Sequence, residues 1–243
     1  MSSLPDNNPR TIVTVLTFNE GEKLKNLLAE FPKEPPYDIL IVDDGSTDET
    51  PAILNNLSYK SIRHDSNLGV GAGIKSAINY ARCENYDIIV IMAGNGKMRP
   101  AEIERLTKPI LDDKADYVQG SRYLEGGLSQ NLPLFRRVAI KLFTLVANFI
   151  LGFKGTDITC GFRAYRLNLF DNQAINIAQD WLNQYEMEYY IHYQVIKNKY
   201  NVIEIPVSMI YPKDGTNYSK IKPFIGWWSM LRPWLYLTLK LKK

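Results

Sequence analysis

Hydrophobic and polar positions alternate between two periods along the first half of the chain. Residues 11–18 read TIVTVLTF, a β-branched apolar run that predicts a buried strand. Leu24, Leu27, Leu28 and Phe31 then fall at helical spacing, and Pro32, Pro35 and Pro36 stop that helix. YDILIVDD predicts a second strand, and GSTDETPAILNNL a turn and helix with Ser46 or Thr47 as cap and Pro51 in the first turn. KSIRHD is a short third strand, NLGVGAGIKSAINYARC a helix with a glycine-rich start, and YDIIVIM a fourth strand. RPAEIERLTKPIL predicts a helix and ADYVQGSRY another strand. Strands alternating with helices over residues 11 to 120 imply an α/β fold with a mostly parallel central sheet and helices on both faces. In such sheets ligands gather at the carboxyl ends of the strands. That selects the loops at 19–20, 43–45, 69–73, 93–97 and 120–122.

The second half has a different texture. Residues 133–153 are intensely apolar, and their polar positions Arg137, Lys141, Thr144 and Asn148 are spaced by four, three and four, a narrow stripe on one helix. Residues 201–211 carry a further strand pattern, and 223–243 are rich in tryptophan and leucine and end in lysines. Neither apolar window reaches the ~20 uninterrupted residues of a membrane span. Residues 138–153 suit an interfacial helix, and Arg232–Pro233 interrupt the tail, whose aromatics and lysines fit a membrane interface. The other reading is that the two windows pack on each other or form the face of a homodimer.

Composition narrows the picture. The 243 residues suffice for one large domain with an extension, and a net charge of +3 argues against a nucleic-acid-binding polyelectrolyte. Cys83 and Cys160 lack zinc-type spacing and read as reduced thiols. The polar start MSSLPDNNPR has no apolar signal-peptide core, so a cytoplasmic protein is expected, peripheral at the inner face of the membrane. The expected division is a disordered lead at 1–10, a main domain at 11–220 and an amphipathic extension at 221–243.

Two adjacent carboxylates end the second strand pattern. Neighbouring strand residues point to opposite faces, so Asp43 and Asp44 have different tasks: one accepts hydrogen bonds from a base or ribose, the other holds the loop. A turn and helix cap built on Asp44, Ser46 and Asp48 is the plainer alternative. Gly69, Gly71 and Gly73 follow the third strand pattern rather than the first and lack dinucleotide-binding spacing, which excludes a Rossmann dehydrogenase.

TFNE (17–20), VDDGSTDET (42–50), NLGVGAGIK (67–75), GSRY (120–123), DITCGFRAY (157–165) and EIPV (204–207), in this order, resemble the nucleotide-sugar glycosyltransferases of the GT-A type. The resemblance is to the large inverting family 2, which includes dolichol-phosphate mannosyltransferase and bacterial polyprenyl-phosphate sugar transferases. It spans residues 11–220, with GTNYSK (215–220) a weak late match. It implies a GT-A fold and transfer of a sugar, with inversion, from a nucleotide-diphospho-sugar to a lipid-linked acceptor, a polyprenyl phosphate or lipid-linked glycan. It implies that Thr17, Glu20, Asp43, Asp44 and Gly71 line the nucleotide pocket, that Ser121, Arg122, Asp157 and Arg163 face sugar and phosphates, and that Arg136 and Lys220 reach the acceptor. Asp157 would act as a base towards a hydroxyl acceptor, or orient Arg163 if the acceptor is a phosphate.

One motif departs. The family's fourth strand ends in Asp-x-Asp, often with Gln two residues on, and these groups hold Mg²⁺ or Mn²⁺ against the donor diphosphate. Here the positions carry Ala93, Asn95 and Lys97. Three readings stay open: Lys97 replaces the metal as a fixed cation, helped by Arg122 or Arg163; Asn95 and donor oxygens hold a weak metal; or transfer is lost and the chain is a sugar-nucleotide-binding scaffold for a membrane glycosyltransferase. The expected cofactor is accordingly none, or a weakly bound Mg²⁺ or Mn²⁺.

Overall fold

The computed structural model describes residues 9–212 and 225–242. The expected alternation is present as β1 (Thr11–Thr17), α1 (Gly21–Ala29), β2 (Asp38–Asp43), α2 (Thr50–Asn55), β3 (Lys60–Arg63), α3 (Val70–Cys83), β4 (Ile88–Ala93), α4 (Ile103–Leu111) and β5 (Tyr117–Ser121). There follow β6 (Leu128–Gln130), α5 (Leu134–Leu151), β7 (Arg163–Arg166), α6 (Glu186–Lys197), β8 (Val202–Pro206), β9 (Ser208–Ile210) and α7 (Ile225–Thr238). The main sheet has the order β3-β2-β1-β4-β7-β5-β8, with β7 antiparallel to both neighbours. The other pairings in that sheet are parallel. Because the order reverses between β1 and β4, their carboxyl ends flank a crevice.

Both faces of the sheet are covered. Ile12, Leu40, Ile74 and Ile78 belong to one core. Val13, Val15, Leu24, Leu27 and Leu28 belong to the other. Burying each leucine stabilises the fold by about 1.5–3 kcal/mol, which holds α1 across β1 and the loop after β1 in place.

The strand pattern at 201–211 is two strands, β8 in the main sheet and β9 paired with β6. Between them Val207 donates its amide to Ser121 and accepts the amide of Leu128, so the chain changes sheets there. Helix α5 ends at Gly152 in the left-handed conformation, φ 66°. The polar stripe expected along it turns inward at its far half: Thr144 is buried, and Asn148 bonds both ways to the Gly155 backbone, at 2.6 and 3.1 Å. Several apolar positions face outward instead, among them Leu142, Leu145 and Phe149, the last 90% exposed. Helices α5 and α7 do pack on each other, Phe143 lying 4.7 Å from the buried Trp234, yet each keeps an exposed apolar outer face. Among the described residues no helix is long and apolar enough to cross a membrane.

Candidate active site

The site is built on the carboxyl ends of β1, β2, β4 and β5. After β1, Asn19 adopts a left-handed φ of 49° and accepts the Thr47 amide at 2.8 Å, while Ser46 Oγ accepts the Asn19 amide at 2.8 Å. Thr50 Oγ1 accepts the amides of Glu20 and Gly21. Glu20 reaches Lys23 Nζ at 3.1 Å. The TFNE and DDGST loops are thereby welded into one wall.

The paired aspartates have divided tasks. Asp44 holds structure: it accepts the amides of Leu68 (2.9 Å) and Gly69 (2.8 Å), and lies 2.7 Å from His64, whose other ring nitrogen is 2.9 Å from Ser76 Oγ. It caps no helix. Asp43 accepts the Ser46 amide and hydroxyl with one oxygen. Its other oxygen is buried without a hydrogen-bond partner, 3.8 Å from Arg63 Nε. Thr17 Oγ1, beside it in register, is also buried and unpartnered. Two buried polar atoms without hydrogen-bond partners, on residues in register at the ends of β1 and β2, are costly unless something fills them, so this edge of the site can receive a polar ligand group.

Gly71 has a different neighbour from the one expected. A Cβ there would stand 2.0 Å from the Leu182 carbonyl oxygen, and the Ala72 amide donates to Asn183. The glycine-rich turn accordingly lets the 182–184 backbone close over the start of α3.

The loop after β4 presents Lys97 inward, only 6% exposed. The Lys97 carbonyl accepts the Ile210 amide, and the ammonium lies 4.9 Å from the centre of the Tyr211 ring. Burial, then the positive charge of Arg136, pushes the amine down to about 8; Glu20 opposes this, and Lys23 and Arg122 add to it. These charges place Lys97 amid the expected donor and acceptor residues. The residues do not fit the family's metal. Ala93 has no side-chain ligand atom, Asn95 Oδ1 accepts the Lys97 amide at 3.3 Å, and a buried cation occupies the third position. Among the described residues no group of three His, Cys, Asp or Glu could hold a metal ion.

Lys97 also sets a pH dependence. A step that needs the ammonium should be full below pH about 8 and fall as pH rises through that value. Stability moves the other way. The folded value lies below the unfolded 10.5, so the unfolded chain binds more protons and stability rises between pH about 8 and 10.5. A pH profile of turnover should show the limb in the wild type and lose it in Lys97→Arg; a limb retained by the arginine variant would assign it elsewhere.

After β5, Arg122 and Asp157 form a buried bidentate pair, with Nε–Oδ2 at 2.6 Å and Nη2–Oδ1 at 2.8 Å. Arg122 also donates to Thr159 Oγ1 and to the Tyr211 hydroxyl at 2.8 Å. Burial disfavours its charge, but Asp157 outweighs burial and holds the guanidinium firmly protonated. This corrects the expected pairing of Asp157 with Arg163. Arg163 lies on β7 and is 1% exposed; it donates to the carbonyls of Cys160, Glu188 and Ile158, each at 2.9 Å, and sits 3.6 Å from the Glu188 carboxylate. It braces the 158–162 loop rather than facing a ligand, because all three guanidinium nitrogens are engaged inside the protein.

Ser121 is buried, its Oγ 2.6 Å from Thr156 Oγ1. Glu204 accepts the amides of Thr156 and Asp157 and the Thr156 hydroxyl, and burial pushes its carboxyl up. The EIPV motif marks Glu204, but nothing local in the sequence marks Tyr211. It joins the site only because β9 returns beside β6. Arg136, in the first turn of α5, is half-buried near Lys97. Lys220 lies outside the described residues.

Comparison with known proteins gives consistent matches. The profile of glycosyl transferase family 2 matches residues 12–173. A polyprenol monophosphomannose synthase of Mycolicibacterium smegmatis is 31% identical over 206 aligned residues, covering 82% of this chain and 77% of that protein. An undecaprenyl-phosphate mannosyltransferase of Micrococcus luteus is 27% identical, covering 83% of this chain and 84% of that one. Among solved structures, mannosyl-3-phosphoglycerate synthase from Rubrobacter xylanophilus superposes with TM-score 0.69 at 14% identity, over 96% of this chain and 75% of that one. Glucosyl-3-phosphoglycerate synthase from Mycobacterium tuberculosis, crystallised with Mn²⁺ and UDP, gives 0.65 at 14%, over 95% and 77%. These structural neighbours establish the GT-A fold.

Proposed function

Because this chain belongs to glycosyl transferase family 2, we propose that it moves a sugar from a nucleoside diphosphate donor, with inversion, to the phosphate of a polyprenyl lipid, and that Lys97 stands where its relatives place a metal ion. The observation that carries this reading is a juxtaposition. Lys97 and Arg122 meet at Tyr211, Arg136 in the first turn of α5 adds its positive charge to Lys97, and α5 exposes Leu134, Phe135, Val138, Leu142, Leu145 and Phe149. An anionic head continued by an apolar chain matches that arrangement. Relatives named for polyprenol and undecaprenyl phosphate support it.

The chemistry favours a phosphate over a hydroxyl. A hydroxyl acceptor needs a base. Asp157 is a poor one, since its oxygens already accept from Arg122 and Thr159. A phosphate monoester, with a second pKa of about 6, arrives ionised and needs guidance rather than deprotonation. Its oxygen forms the new bond to the anomeric carbon as the bond to the donor diphosphate breaks, and the electron pair leaves on the diphosphate oxygen. Lys97 would meet that growing charge in a site of low dielectric.

The test is transfer of labelled sugar from UDP- or GDP-sugars into an organic-extractable product with polyprenyl phosphate as acceptor. Label entering the lipid phase only when the lipid carries a phosphate is expected. Transfer to a dephosphorylated polyprenol with equal efficiency would overturn the acceptor assignment. The reading also places the outer faces of α5 and α7 against a lipid surface, where Trp227 and Trp228 stand 49% exposed. Phe149→Asp with Leu145→Asp should lower binding to phosphatidylglycerol vesicles at least about tenfold; unchanged co-sedimentation would remove the membrane from the account.

A further inference from the structure

We propose that Tyr211 is a positioning residue for the donor cation: its ring seats the Lys97 ammonium, its hydroxyl seats the Arg122 guanidinium, and it thereby sets how the two positive groups face a diphosphate. The inference rests on the reading of Lys97 as the cation that meets the leaving group, and it adds a residue outside the six motifs of this sequence that carry the resemblance.

Five contacts carry it. The Lys97 ammonium is 4.9 Å from the Tyr211 ring centre, within the distance at which a ring face attracts a cation. Arg122 Nη1 donates to the Tyr211 hydroxyl at 2.8 Å. The Tyr211 backbone is clamped on both sides, its amide donating to Gln130 at 3.1 Å and its carbonyl accepting Asn131 Nδ2 at 2.8 Å. The preceding amide, of Ile210, donates to the Lys97 carbonyl at 3.1 Å. Tyr211 is therefore a rigid post, and the lysine loop is tied to that post through its main chain as well as its side chain.

The choice of tyrosine follows from the chemistry. A carboxylate at this place would neutralise Lys97 and compete with the donor phosphates. A neutral aromatic ring attracts the ammonium weakly and leaves its charge available. The phenol accepts from Arg122 without giving up a proton at neutral pH, since burial pushes its ionisation up. A metal ion fixes its own geometry through its ligands, whereas a lysine on four rotatable methylenes does not. A site that relies on lysine gains from a separate group to hold it.

The experiment is a double-mutant cycle on the full chain, read as kcat and donor KM in the polyprenyl phosphate assay. Tyr211→Leu should lower kcat by about 10–100-fold with donor KM within about threefold, because misplacing a charge by an ångström costs that much. Tyr211→Phe keeps the seat of Lys97 and removes only the bond to Arg122 Nη1, so it should recover kcat part of the way, well above Tyr211→Leu and still below wild type. Tyr211→Leu added to Lys97→Ala should cost little more than Lys97→Ala alone. Fully additive losses, or no recovery by phenylalanine, would overturn the proposal. A readout needing neither turnover nor a folded leucine variant is NMR of ¹³Cε-labelled lysine, with Lys97 assigned by its loss in Lys97→Arg. An upfield ring-current shift of the Lys97 ε-protons is expected, and an ordinary lysine position would overturn the seat. If the shift is present while Lys97→Ala leaves turnover intact, the seat stands and the leaving-group role of Lys97 falls.

Discussion

Lys97→Ala is expected to lower sugar transfer by about 10²–10³-fold, the range seen when one preorganised donor to a developing negative charge is removed. Donor affinity should change far less. A diphosphate already carries its charge in the ground state, but the bond to the sugar breaks only in the transition state, and only then does new charge collect on the bridging oxygen. The lysine is well placed for such differential stabilisation. It is 6% exposed, so water screens it little, and its loop is tied to β9 through the Ile210 amide, so little reorganisation is needed. The variant should be read as kcat and KM separately, with donor binding measured by calorimetry. A rise in donor KM and Kd with kcat unchanged would make Lys97 a binding residue only, and unchanged kcat and KM would end its role.

Asp157→Ala is expected to destabilise the protein by about 3–5 kcal/mol, the penalty for stripping a buried charge of its partner. Arg122 and Asp157 are both almost wholly buried, and the aspartate accepts from three groups of Arg122 and from Thr159. For a chain of this size the loss corresponds to a fall in Tm of roughly 6–20 °C. Replacing both partners, as in Asp157→Leu with Arg122→Met, should recover part of that loss, because no orphaned charge remains. Transfer should stay low in the double variant. If the single variant melts like the wild type, the pair is not the brace that its geometry describes, and Asp157 would again be open to acting as a base.

Much of the frame was legible from period alone. The runs at 11–18, 38–43 and 88–93 become β1, β2 and β4 because consecutive apolar β-branched residues suit strands buried on both faces. The insertion of β7 between β4 and β5 was not legible. RAYR is only four residues long, and its antiparallel placement depends on partners distant in sequence. For the same reason Asp157 found Arg122, thirty-five residues before it, rather than Arg163 six residues after it. Side chains six apart on a strand approach share a direction only if the segment between them is straight, and here the chain turns at Ile158–Thr159. On α5 the three-and-four spacing identified a helix correctly but not which face meets the protein. Thr144 and Ala147 go inward with Phe143 and Leu151 where α6 and α7 pack, and Leu142, Leu145 and Phe149 are left outside. The substitution of Ala93, Asn95 and Lys97 for metal ligands was visible in the sequence. That Lys97 is buried against Tyr211 was not, since a loop lysine ordinarily extends into water.

The central claim, that a fixed cation stands in place of a metal ion, is tested most directly by measuring sugar transfer to polyprenyl phosphate in excess EDTA and then with added Mn²⁺ or Mg²⁺. The account expects turnover in EDTA to lie within about twofold of turnover with metal in the wild type, and Lys97→Ala to be impaired in both buffers. Transfer abolished by EDTA and restored by Mn²⁺ would contradict it, and would mean that Asn95 and the donor's own oxygens still assemble a metal site beside Lys97.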